Sequence, residues 1–191
     1  MKSTPKKKFK VLNRGLTIAY IGNGKGKTTA AVGAAVRARG CGMRVLFLQF
    51  YKSPEWPSGE RQALVKLGVK VHVVGEGFVG ILGDRKKLAV HKKAAERALR
   101  ESRRALVSGA YDLIILDEAI SCLEQKLFTP ARLATLLKLK QKSTKASHVH
   151  LILTGHKRFP QILKLCDLVT EMKMVKHPYY QGFLAVRGVD Y

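Results

Sequence analysis

Between the apolar run GLTIAYI and an alanine-rich stretch stands Gly22-Asn-Gly-Lys-Gly-Lys-Thr28. A buried strand that passes through glycines straight into a helix aims several backbone N–H groups, and the positive end of that helix, at one point. Such a point suits an oxyanion. Gly22, Gly24 and Gly26 let the chain turn tightly, Lys27 supplies a point charge to phosphate oxygens, and the Thr28 hydroxyl is placed at the first helical turn to ligate Mg²⁺. Asn23, Lys25 and Thr29 complete the residues expected to line a bound nucleotide. The usual phosphate-loop pattern has four residues between its first glycine and Gly-Lys; here there are three, so the phosphates are expected to sit differently.

Elements of alternating type follow. The spacing predicts a helix from Thr28 to Arg39 that stops at Gly40, a strand RVLFLQF, a short helix Glu60 to Leu67 and a strand VKVHVV. A long basic helix is expected from Asp84, read as its N-cap, to Ser108. Thr129-Pro130 starts another helix, HVHLILTG is a further buried strand, Phe159-Pro160 opens a short helix to Cys166, and LVTEMKMV is the last strand. This β/α alternation predicts an α/β, single-domain, P-loop NTPase-like (RecA-like) fold: a mostly parallel sheet with helices on both faces. Residues 1–14 are expected to form a flexible basic arm ahead of a domain at 15–191.

The run YDLIILDE has the continuous apolar pattern of a strand covered on both faces, and it delivers Asp117 and Glu118 at its C-terminal end, where open α/β sheets bind ligands. One or both acids are expected to reach the magnesium. In an ATPase the second acid commonly activates water, whereas in a transferase it can simply hold metal, and both readings stay open at this point.

Net charge is +23, a field that concentrates polyanions, so nucleic acid must be considered. It is not favoured, because the basic residues are spread along the chain without interleaved aromatics, and a solvated surface explains them as well. Cys41, Cys122 and Cys166 are too widely spaced for a disulfide framework or zinc site, and His148 and His150 lack a matching ligand cluster. No apolar run is long enough to cross a bilayer, and MKSTPKKKFK lacks the apolar core of a secretory signal, so a cytoplasmic location is expected.

With GNGKGKTTAA, LQF, GEGF, LDE, LTG and the closing VKHPYYQGFLAVRGVDY in that order, the chain resembles the P-loop family of ATP:corrinoid adenosyltransferases. The closing segment is the most distinctive part, with Lys176-His177-Pro178, Gly182, Ala185, Gly188 and Asp190-Tyr191, and the short glycine loop is that family's form. The resemblance implies ATP and a corrinoid as substrates with Mg²⁺ as cofactor, and ATP bound in reverse orientation relative to ordinary P-loop enzymes. It further implies attack by Co(I) on C5′ of the ribose with release of triphosphate, which needs no side-chain nucleophile. Lys27 and Glu118 then carry the catalytic electrostatics, Thr28, Glu118 and Asp117 the metal, and Phe78 faces the corrin. A Co(II) reductase and a homodimer are the partners it suggests. Two departures stand out: Val79-Gly80 follow Phe78 where many members have Thr-Trp, and His156-Lys157 follow LTG where Arg-Gly is frequent. The residues alone also admit a P-loop ATPase or a nucleic-acid-associated ATP-binding protein, distinguished by ADP and phosphate as products.

Overall fold

Apolar side chains alternate between two faces along the strands Val45–Gln49 and Leu113–Asp117, which are buried throughout, and two helical layers follow from that alternation. The computed structural model describes residues 11–56, 58–81 and 83–189. Its strands are β1 (Thr17–Ile21), β2 (Val45–Gln49), β3 (Lys70–Val73), β4 (Leu113–Asp117), β5 (His150–Thr154) and β6 (Leu168–Glu171). The helices are α1 (Lys27–Gly40), α2 (Gly59–Lys66), α3 (Leu88–Val107), α4 (Ala119–Glu124), α5 (Pro130–Lys142) and α6 (Pro160–Leu163). The strands form one sheet in the order β3-β2-β4-β5-β1-β6, every pairing parallel. Val45, Phe47, Leu113 and Ile115 point to the face covered by Ala31, Ala35 and Ala38 of α1, whose small side chains seat that helix close to the sheet. Leu46, Leu48, Ile114 and Leu116 point the other way, toward Ala95, Ala98 and Leu106 of α3 and Leu133 and Leu137 of α5.

The elements depart from expectation in three places. Asp84 does not cap α3, which begins four residues later behind Lys87. Its carboxylate is instead taken by the Gly80 N–H (2.9 Å), the Lys86 N–H (3.1 Å) and the ring of buried His91 (3.0 Å), so it organises the loop ahead of the helix. The short α4 was not anticipated; with Ala119 to Leu123 all buried, it has no polar face to produce a helical period. The last strand also ends early, at Glu171, because the chain beyond it turns to the glycine loop. Of the expected basic arm, residues 1–10 lie outside the described residues, while Arg14 at its end holds Asp167.

At the opposite end of the strands from the site, Asp112 accepts the Arg44 N–H (2.8 Å), Nη2 (2.8 Å) and Nε (3.1 Å), stapling the start of β4 to the start of β2. The Arg44 side-chain bonds, more than any other cause, hold its carboxyl down to about 2. A folded-state value below the unfolded one means stabilisation that is present above the ordinary carboxylate range and lost as the pH falls toward about 2. Asp112→Asn is therefore expected to lower the melting temperature slightly at neutral pH, as befits a half-exposed pair. Thermal melts at decreasing pH should show the gap to the unsubstituted protein closing through that window.

Candidate functional site

Parallel strands bring β1 and β4 to the same end of the sheet with β5 between them, so the glycine loop after β1 opens beside the acids that close β4. Gly22 and Gly26 have φ of 109° and 101°, conformations that L side chains rarely adopt. A Cβ on Gly24 would fall 2.8 Å from the backbone carbons of Met172 and Lys173. The contact is close because Gly24 N–H donates to Met172 O (2.8 Å) and Met172 N–H to Ile21 O (2.8 Å). Asn23 Oδ1 accepts the Met174 N–H, and Gly22 N–H donates to His156 O (2.9 Å), so two distant segments hold the loop.

Lys27 is the first residue of α1 and is buried, its ammonium donating to Gly22 O (2.8 Å) and Gly24 O (2.7 Å) inside the loop. Burial pushes its pKa down, opposed by the charges of Glu118 and Asp117. Thr28 Oγ1 donates to Asp117 Oδ1 (3.0 Å), which also accepts Thr154 Oγ1–H from the end of β5 (2.9 Å). Asp117 Oδ2 is buried without a hydrogen-bond partner among the described residues. Burial, and then the charge of Glu118, push the Asp117 carboxyl upward. Glu118 follows in the left-handed conformation, φ 62°, with its N–H donated to Thr154 Oγ1 (2.8 Å). Lys25 and Thr29 are exposed beside the loop.

A Mg²⁺ ion fits these residues. The donors are all oxygens, one carboxylate oxygen is buried and unpartnered, and Mg²⁺ is commonly held by one or two carboxylates together with substrate phosphates. Thr28, Asp117 and Glu118 are the residues that would hold it. Next to them Gln49, at the end of β2, is buried, with Oε1 accepting Arg61 Nε–H (2.7 Å) and Nε2 unpartnered among the described residues.

Phe78 does not join this polar cluster. It packs edge-on against Tyr51 (centroids 5.5 Å apart) and Trp56 (5.1 Å), forming a half-buried aromatic wall at the same strand ends. Tyr51 Oη accepts the Val79 N–H (3.4 Å). The loop carrying Phe78 is the one organised by Asp84. Asp84→Ala is expected to strip acceptors from two backbone N–H groups and His91, lowering the melting temperature by a few degrees. Calorimetric melts of the two proteins would register the shift, and an unchanged melting temperature would remove Asp84 as the organiser of the loop.

The resemblance implied that the segment after LQF faces the corrin without singling out Tyr51 or Trp56, His156 stood out only as a departure after LTG, and Ser121 was not read at all. Thr154 was visible only as part of LTG, and nothing in the local sequence announces Ser121. His150 is a satisfied strand histidine, its Nδ1 accepting the Leu16 N–H (3.1 Å). His177 Nδ1 accepts the Tyr179 N–H (3.0 Å) and caps the short turn that follows, while Asp190 and Tyr191 lie outside the described residues.

The sequence model described as ATP:corrinoid adenosyltransferase BtuR/CobO/CobP matches residues 13–191. The chain belongs to that family. It is 34% identical over 178 residues to the corrinoid adenosyltransferase CobA of Salmonella typhimurium, covering 93% of this chain and 86% of that one. To the corrinoid adenosyltransferase of Escherichia coli K12 it is 35% identical over 179 residues, and to that of Pseudomonas aeruginosa 32% over 180. These alignments cover 93% of this chain and 86% and 84% of those proteins. This adenosyltransferase moves the adenosyl group of ATP to cob(I)alamin. Among solved structures, the KaiC-like protein PH0186 of Pyrococcus horikoshii shares the fold, with a TM-score of 0.56, 19% identity and coverage of 86% of this chain and 75% of that one. No helix of the described residues is long and apolar enough to cross a membrane.

Proposed function

We propose that the adenosyltransferase grips ATP by its triphosphate in the loop Gly22–Thr28, on a RecA-like P-loop scaffold, with the nucleotide reversed relative to ordinary P-loop enzymes. C5′ of the ribose then faces the corrinoid. The electron pair of Co(I) forms the bond to C5′, the C5′–O bond breaks, and its electron pair leaves with triphosphate. No side chain need act as nucleophile, so the protein's task is to stabilise a leaving group that carries its full charge and to align C5′ with cobalt.

The observation that carries this reading is the meeting of Lys27, Thr28 and the unpartnered Asp117 carboxylate oxygen at one end of the sheet. The Lys27 ammonium already sits within the loop, where it neutralises phosphate charge; the first turn of α1, which starts at Lys27, offers backbone N–H groups. A Mg²⁺ ion held by Thr28, Asp117 and Glu118 would supply further charge neutralisation to the triphosphate. The aromatic wall of Phe78, Tyr51 and Trp56 lies where it can exclude water from one side of the corrin, and Trp56 places an indole beside Phe78 although Val79-Gly80 follow it in the chain. Co(I) must come from an electron donor, so a Co(II) reductase is the proposed partner, and a homodimer the proposed assembly.

The test is an anaerobic absorbance assay with chemically reduced cob(I)alamin, ATP and Mg²⁺, coupled to chromatography of the phosphate products. Adenosylcobalamin with an equal amount of inorganic triphosphate is expected. ADP and phosphate as the products would overturn the reversed binding of ATP.

A further inference from the structure

Ser121, on α4, and His156, after β5, join Glu118 in one hydrogen-bonded chain. Ser121 is buried, and its Oγ contacts both Glu118 Oε2 and His156 Nδ1, the latter at 3.1 Å. Nδ1 is 3.9 Å from Glu118 Oε2, too far for a direct hydrogen bond, so the serine is the link. The directions of these bonds are fixed by proton count. A carboxylate only accepts, so the single Ser121 proton goes to Glu118. The Ser121 oxygen then has only lone pairs to offer, and His156 Nδ1 must donate to it. A neutral His156 is thereby held with its proton on Nδ1.

The backbone explains why these groups meet. Gly155 lets the chain pass α4 so closely that a Cβ there would lie 2.6 Å from Ile120 Cβ and Ser121 N. The carbonyl of the next residue, His156, accepts the Gly22 N–H, and Thr154 accepts the Glu118 N–H. One short segment therefore touches the first glycine of the phosphate loop, the backbone of Glu118 and, through Ser121, its carboxylate.

We propose that Ser121 and His156 are positioning residues for ATP: the chain His156 Nδ1–H to Ser121 Oγ–H to Glu118 fixes Oε2 and leaves Oε1 to serve the cation–triphosphate complex. This rests on the reading of Glu118 as a ligand of that cation. Partners that orient a metal-binding carboxylate typically change metal affinity by about 10–100-fold when removed.

Long-range ¹H–¹⁵N NMR of the ¹⁵N-histidine-labelled protein, at a pH where the ring is neutral, should show His156 with its proton on Nδ1, and Ser121→Ala should move it to Nε2. Calorimetry with Mg²⁺·ATP should show affinity weakened about 10-fold in Ser121→Ala and His156→Ala. His156→Asn, whose amide N–H replaces Nδ1–H, should recover most of it. An Nε2 proton on His156 in the unsubstituted protein overturns the proposal, as does unchanged affinity in Ser121→Ala while Glu118→Gln weakens it. Unchanged affinity in both variants removes the cation role of Glu118, and the positioning role with it, while the NMR result still reports whether the chain exists.

Discussion

Lys27→Ala is expected to leave below about 1% of the adenosyl transfer rate, the scale of loss when a preorganised donor to developing charge is removed. In the proposed reaction triphosphate leaves whole, so its charge must be met by groups already in place. Lys27 is the buried cation inside the loop. The fold should survive, since α1 is anchored by Ala31, Ala35 and Ala38 rather than by the lysine, whose hydrogen bonds stay within its own loop. Formation of adenosylcobalamin followed by absorbance, beside circular dichroism of the variant, separates these effects. A folded variant with ordinary turnover would remove Lys27 from the site.

Gly22→Ala should damage both stability and binding. With φ at 109°, the residue lies beyond the left-handed region that alanine tolerates, and the added Cβ would stand 2.3 Å from Met172 O. Backbone strain and that clash together should cost at least about 2 kcal/mol, or roughly 4–8 °C of melting temperature for a chain of this length. Relief requires the loop to move away from Met172 and His156, so ATP binding should disappear with it. Calorimetric melts and ATP titrations would show this; an unchanged melting temperature would mean that the loop adapts, contrary to the rigid cradle described above.

The polar half of the site was legible because its chemistry is local in sequence. Gly22 through Thr28 announce themselves by composition and by their place between a strand and a helix, and LIILDE by an apolar run that ends in two acids. The parallel sheet followed from the same alternation of strands and helices. What could not be read was whatever depends on a crossing of distant segments. Ser121 lies on a helix with no amphipathic period, Thr154 and His156 meet Glu118 only because β5 lies beside β4, and Trp56 meets Phe78 across two loops. Asp84 misled for a related reason: an acid before a helix reads as a cap, but a buried histidine and two loop N–H groups claimed it first.

The stitch between Gly24 and Met172 also bears on how the protein is made. Nearly 150 residues separate the two partners, so the phosphate loop lacks its backing until nearly 150 further residues have left the ribosome. Until then Gly24 lacks the strand-end backbone it leans on, and the nascent polypeptide carries the nucleotide motif without its finished shape. Competence to bind ATP should therefore arise late and all at once, making nucleotide binding a sensitive reporter of completed folding.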